Sequence, residues 1–165
     1  MDTTPENPAQ ILIIDDDHGE VQELRGALTE CGKPYELSVL QDGEAALRFV
    51  ADHRSGLRQP EPCVIVLDLN LPKHDALAVL AAIRAEPALS HIRVLVVSTL
   101  AVRETQALLR EMGGLYRERP RDLPGLLDMA VELLALCNKR RPTRVYAGTT
   151  HERTTREIKA DDRGF

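Results

Sequence analysis

Asp15-Asp16-Asp17 follows the apolar run Ile11-Leu12-Ile13-Ile14, and Asp68 follows Cys63-Val64-Ile65-Val66-Leu67. Ser98-Thr99 follows Val94-Leu95-Val96-Val97, and Arg119-Pro120 comes shortly after Leu115-Tyr116. Carboxylates that converge repel one another, at a cost that depends strongly on burial. A hard divalent cation removes that cost, and oxygen ligands of this kind suit Mg²⁺. Such a cation would also neutralise an incoming phosphoryl group and help it transfer to a carboxylate. Ser98 offers a hydroxyl and Arg119 a fixed positive charge to phosphoryl oxygens. Asp17 by itself reads as the N-cap of a following helix, but a cap needs one such residue and here three stand in a row. Asp68 or Ser98 alone would say little. Their joint placement at the ends of apolar runs carries the signal.

Those runs have to be elements that bring the polar groups to one place. Residues 11–14 read as a buried strand. Val21, Leu24, Leu28 and Cys31 follow at helical spacing, until Gly32 and Pro34 stop that helix. Tyr35 to Leu40 alternates as a second strand, and Asp42-Gly43 turns the chain into a helix through Ala45, Ala46, Leu47 and Val50. Residues 54–62 form a loop. Residues 63–67 are the third strand, apolar on both faces. Ala76, Val79, Leu80 and Ile83 mark a helix face that ends before Pro87, and residues 94–97 are the fourth strand. A weaker helix over 102–112 would bury Ala107, Leu108 and Met112. Leu115-Tyr116 opens a short fifth strand, and Leu123 to Cys137 is a long helix. This is an α/β chain of (βα)5 type. Strands apolar on both faces and separated by helices imply a parallel sheet covered on both sides. Right-handed crossovers make it doubly wound, with its site beyond the carboxyl ends of the strands.

Composition narrows the class. A chain of 165 residues with 43% hydrophobic residues suits one globular domain. Aromatics are 3% with no Trp, which speaks against base stacking on nucleic acid. Net charge is −5, divided into −9 over residues 1–137 and +4 over residues 138–165. An acidic body disfavours DNA binding. Cys31, Cys63 and Cys137 are odd in number and widely spaced, without a CxxC, so neither a disulfide framework nor a zinc site is expected. Each is expected to pack as a small hydrophobe in a reducing cytosol. The polar N-terminus is no signal peptide, and no apolar run is long enough to cross a bilayer. A cytoplasmic protein without membrane insertion is expected.

The segment at 11–17, Asp42-Gly-Glu-Ala-Ala-Leu47, Val66-Leu-Asp-Leu-Asn-Leu-Pro72 and the later Arg119-Pro120 together resemble the receiver domains of two-component response regulators. The resemblance covers residues 9–137, with residues 1–8 as a flexible lead and residues 138–165 as a basic tail or dimerisation arm. Asp68-Leu-Asn-Leu-Pro-Lys-His-Asp75 with Ser98-Thr99 is similar to the small regulators that serve phytochrome-type kinases. The resemblance implies a flavodoxin/CheY-like fold with strand order 2-1-3-4-5. It implies Asp68 as phosphoacceptor, Asp16 as a direct Mg²⁺ ligand, Asp15 acting through water, and Asn70 giving its backbone carbonyl. Ser98 would bond a phosphoryl oxygen, and Tyr116 stands where the family carries its aromatic switch. The partners implied are a sensor histidine kinase, with a bacteriophytochrome as candidate, and a second copy of the chain. The chain would be a self-catalysed phosphoacceptor, not a turnover enzyme.

Several positions depart from the family pattern. Arg119 stands where the family has a lysine, and a planar fork is not a point charge. It can keep the charge and can pair with Asp15 or Asp68, while Arg117 should face away. The 119–120 peptide bond is expected to be cis, as in the family, and a trans bond would go with a remodelled site. Ala76 replaces a usual glycine, Thr99 is bulkier than the common alanine, and Leu100 does not obviously position a water, so slow loss of the phosphoryl group is expected. Two competing readings follow: a receiver-like interaction module without phosphorylation, supported by Arg119, and an aspartate-nucleophile phosphatase, disfavoured because Asn70 replaces its second Asp.

Overall fold

β-strands β1 (Ala9–Ile14), β2 (Tyr35–Leu40), β3 (Val64–Asp68), β4 (Arg93–Ser98) and β5 (Leu115–Glu118) form one parallel sheet in the order β2-β1-β3-β4-β5. The computed structural model describes residues 7–56, 61–71, 75–99 and 101–138. Helices α1 (His18–Glu30), α2 (Gly43–Arg54), α3 (Ala76–Ala85) and α4 (Arg103–Glu111) alternate with the strands, and α5 covers 123–138. The register sets Ile14 beside both Leu40 and Leu67, Asp68 beside Val97, and Ser98 beside Glu118. The carboxyl ends of the five strands thus come level, and the polar residues at and after them share one edge.

Side chains of the central strands alternate between two cores. Ile11, Ile13, Val64, Val66, Leu95 and Val97 pack under α1 and α5, against Leu24, Leu28, Met129 and Leu133. Leu12, Ile14, Ile65, Leu67, Val94 and Val96 pack under α2, α3 and α4, against Val50, Leu80, Ile83 and Leu109. Each aliphatic side chain fully removed from water contributes about 1.5–3 kcal/mol. Asp17, Asp42 and Asp75 cap α1, α2 and α3 by accepting from the N–H groups of Glu20, Ala45 and Leu77. All three helix starts lie at the carboxyl edge of the sheet.

Two expectations are corrected here. In α4 the buried residue is Leu109; Leu108 is 41% exposed, Ala107 is exposed and Met112 is half-buried. Leu108 and Leu109 are adjacent and equally apolar, so the sequence leaves open which faces in. Leu109 is buried and Thr105, one turn before it, is half-buried, which sets the inward stripe of the helix. The cysteines are the second correction. Cys63, just before β3, and Cys137, in the last turn of α5, form a disulfide with Cα atoms 5.0 Å apart. They are 74 residues apart in sequence, and only the docking of α5 on the sheet brings them together. Cys31 is a free, half-buried thiol. The tail from 139, most of the N-terminal lead, Pro72-Lys73-His74 and Leu100 lie outside the described residues. No helix among the described residues is long and apolar enough to cross a membrane.

Candidate phosphoacceptor site

Backbone ties fix the edge before any side chain acts. Asp15 N–H donates to Leu40 O at 2.9 Å, Leu69 N–H to Val97 O at 3.0 Å, and Arg119 N–H to Ser98 O at 2.7 Å. Asp15 and Asp68 are each 6% exposed, while Asp16 is exposed. Asp15 Oδ1 accepts from Asp17 N–H at 2.8 Å, and Asp68 Oδ1 accepts from Asn70 N–H at 3.0 Å. Carboxylate oxygens of Asp15, Asp16 and Asp68 all lie within 4.8 Å of one another. Burial raises the Asp15 pKa above the ordinary carboxylate value. The Asp17 N–H opposes that rise and the Asp68 charge adds to it. An all-oxygen, multiply acidic donor set of this size fits a hard divalent cation.

Arg119 closes the cluster. Its Nη1 is 2.8 Å from Glu20 Oε2, and its Nη2 is 3.3 Å from Asp15 Oδ2 and 3.5 Å from Asp68 Oδ1. The expectation of pairing with Asp15 or Asp68 holds for both, and Glu20 is an unexpected third partner. Burial raises the Glu20 pKa, against the pull of the Arg119 charge. Arg117 instead pairs with Glu132 on α5 and takes no part in the cluster. A cleft of about 550 Å³ opens over the edge, lined by Asp16, Asp68, Asn70, Thr99 and Arg119 among others. Thr99 therefore does border the approach to Asp68. Ser98 is 2% exposed at the end of β4, beneath that lining.

The described residues contain no cis peptide bond, so Arg119–Pro120 is trans, contrary to expectation. Trans is the lower-energy form of X–Pro bonds by about 0.5–1 kcal/mol. Beyond it, Asp122 Oδ1 caps α5 by accepting from Gly125 N–H at 2.9 Å. Ala76 is buried as the first residue of α3, in ordinary helical backbone. Tyr116 is half-buried against the α2–α3–α4 core, and its hydroxyl accepts from Ala101 N–H at 3.1 Å. The ring is thereby tied to the segment between β4 and α4.

A doubly wound sheet with an acidic cluster and an arginine at its carboxyl edge defines a class of phosphate-handling α/β domains. The family model of the response regulator receiver domain matches residues 11–114, and the chain belongs to that family. Over 92 residues it is 37% identical to response regulator Rcp1 of Synechocystis sp., a match covering 56% of this chain and 63% of Rcp1. The chain thus spans less than two thirds of that curated relative. The Mn²⁺-bound form of Rcp1 superposes with TM-score 0.65 at 32% identity, over 74% of this chain and 89% of that one. The phosphorylated cyanobacterial phytochrome response regulator RcpA gives 0.64 at 26% identity, over 75% and 89%. The bacteriophytochrome response regulator AtBRR gives 0.61 at 28%, over 79% and 94%.

Glu20 is the site residue that sequence reasoning missed. Asp17-x-x-Glu20 matches a capping box, in which the glutamate returns to the cap's own N–H. The pattern was available but pointed to helix capping, not to the site.

Proposed function

We propose that Asp68 is the phosphoacceptor of a two-component phosphorelay. The phosphoryl group passes from a phosphohistidine of a sensor kinase. The P–N bond breaks, a P–O bond forms on an Asp68 oxygen, and the imidazole nitrogen keeps the electron pair and takes up a proton. The observation that carries this reading is the convergence of the Asp15, Asp16 and Asp68 oxygens within 4.8 Å, at the edge where Arg119 also reaches. Asp16, Asp68, the Asn70 backbone carbonyl and, through water, Asp15 would hold Mg²⁺. When bound, the ion would offset the carboxylate charges and those of the phosphoryl oxygens. Ser98 and Arg119 would bind phosphoryl oxygens. The new group adds roughly −1.5 to −2 charges beside Ser98, and Tyr116 carries the change to the α4–β5–α5 face through its bond to Ala101.

The likeness to RcpA and AtBRR supports a phytochrome-type kinase as donor. A cytoplasmic setting and a homodimer belong to the same proposal. Labelling by a candidate kinase, or by acetyl phosphate with Mg²⁺, tests the core of the reading. Wild type takes up one phosphoryl group and Asp68→Asn takes up none; equal labelling of the two would sink it. A second reading is favoured by the Arg119 ion pairs, which already fill the carboxylates' need for a cation. In that reading the chain is a receiver-shaped interaction module, and wild type stays unlabelled under the same conditions.

A further inference from the structure

We propose that Glu20 is a positioning residue that allows an arginine to serve at position 119. The inference rests on Asp68 being the phosphoacceptor. A lysine ends in one nitrogen, which can face the phosphoacceptor alone. An arginine ends in a planar fork, and turning one terminal nitrogen to Asp68 leaves the other in need of a partner. The Arg119 side chain is only 17% exposed, so water cannot fully provide it.

Glu20 does. The fork divides its contacts, with Nη1 on Glu20 at 2.8 Å and Nη2 facing Asp15 and Asp68 at 3.3 and 3.5 Å. The Glu20 contact is the shortest of the three ion pairs, while the hydrogen bond of the fork goes to Asp15 Oδ2. Glu20 therefore holds one end of the fork by charge at the closest distance, and the longer Nη2 contacts are the ones that phosphoryl oxygens can replace.

The reason Glu20 is available lies in the first turn of α1. Glu20 occupies the third helical position after the Asp17 cap, and its own N–H donates to Asp17 Oδ1 at 3.0 Å. In a complete capping box its carboxylate would accept from Asp17 N–H. That N–H donates instead to Asp15 Oδ1 at 2.8 Å. One site carboxylate takes over half of the capping box, and the carboxylate it displaces is free to hold Arg119. Without Glu20, Nη1 would lose its partner and the fork would turn both nitrogens onto Asp15 and Asp68. It would then compete with the metal and with the incoming phosphoryl group.

The test is a double-mutant cycle on the full chain with Glu20→Gln and Arg119→Lys, read in two ways. The first is the rate of Mg²⁺-dependent labelling by acetyl phosphate, in which the donor P–O bond breaks, acetate leaves and an acyl phosphate forms on Asp68. The second is Mn²⁺ affinity by calorimetric titration, which needs no phosphoryl transfer. Glu20→Gln should slow labelling about tenfold, as expected for losing a close ion pair to a mostly buried guanidinium, and should weaken Mn²⁺ binding by a similar factor. In the Arg119→Lys background the same change should move both by less than about twofold, because the ammonium has no second nitrogen to anchor. Equal losses in the two backgrounds, or none in either, overturn the proposal. If wild type takes no label, the phosphoacceptor reading fails by itself, and the Mn²⁺ arm still decides whether Glu20 acts through Arg119. Unfolding midpoints of all four proteins separate a folding defect from a positioning one.

Discussion

At the amino edge of the sheet the Arg84 guanidinium rests on three backbone carbonyls, while at the carboxyl edge the Arg119 guanidinium rests on three carboxylates. Arg84 donates to Ser90 O at 2.8 Å, Ile92 O at 2.7 Å and Gly113 O at 2.9 Å, joining the end of α3 to the segments that enter β4 and β5. Burial pushes its pKa below the ordinary arginine value. Those carbonyls are fixed by the chain and have no other cation to exchange for. The carboxylates around Arg119 do, because a metal ion or a phosphoryl group alters what each of them needs. The same side chain is a structural clamp at one edge and an exchangeable contact at the other. The Cys63–Cys137 disulfide completes the closed edge.

The largest effect should come from opening that disulfide. Closing a loop of this length stabilises a fold by about 4 kcal/mol in the chain-entropy account. Denaturant unfolding of the oxidised protein, the reduced protein and a Cys63→Ser, Cys137→Ser variant should show a loss approaching that size. Thiol titration before and after reduction should count Cys31 alone and then all three cysteines. Acetyl phosphate labelling should change by less than about twofold, since the cross-link lies at the far edge from Asp68. A tenfold change in labelling would break the division between the edges.

Next comes Arg84→Met, which keeps much of the stem and removes three charge-assisted hydrogen bonds. A cost of about 2–3 kcal/mol is expected, read as a lower unfolding midpoint. Arg84→Lys should recover only part of it, because one ammonium cannot span three carbonyls set by a planar fork. Both variants should take label at the wild-type rate.

How much of this was legible in the sequence follows the same division. The carboxyl edge was readable because strand ends announce themselves: an apolar run stops and Asp15, Asp68 or Ser98 follows. The two-faced core followed from runs such as Val64 to Leu67, which cannot sit half in water, while the strand order came only with the family resemblance. The amino edge was not readable. Cys63 and Cys137 carry no local pattern, and Arg84 looks like any charged residue in the last turn of a helix until the carbonyls beyond it are placed. Glu20 failed differently, because its local pattern was clear and was overruled by a contact from Asp15. The face of α4 failed because its two central leucines differ only in direction.

The two edges should also differ in pH response. In metal-free protein the folded-state pKa values of Asp15 and Glu20 lie above the ordinary 3.8 and 4.5, chiefly through burial. A carboxyl group that binds its proton more tightly when folded adds stability below its ordinary pKa. That contribution is lost as pH rises through the raised value. Unfolding midpoints measured in chelator should therefore carry a falling component as pH rises from about 4 toward 7, and Asp15→Asn should remove part of it. Mg²⁺ should restore stability at neutral pH in wild type. Arg84→Met should lower the midpoint at every pH without altering this slope, because arginine stays charged throughout the range.

The smallest effect tests where the carboxyl edge ends. Tyr116→Phe keeps the ring against the α2–α3–α4 core and removes only the hydroxyl that accepts from Ala101 N–H. Ala101 is 6% exposed, so its N–H loses a partner that water cannot readily replace. The cost should be about 1 kcal/mol, seen as faster hydrogen exchange at Ala101. Labelling of Asp68 should stay within about twofold of wild type, because the hydroxyl bonds to the backbone beyond β4 and not to the carboxylates. A tenfold slower reaction would mean that the tie between Tyr116 and Ala101 shapes the phosphoacceptor cleft itself. The exchangeable region would then extend from the carboxylates into the segment between β4 and α4, and the boundary between clamp and contact would lie there.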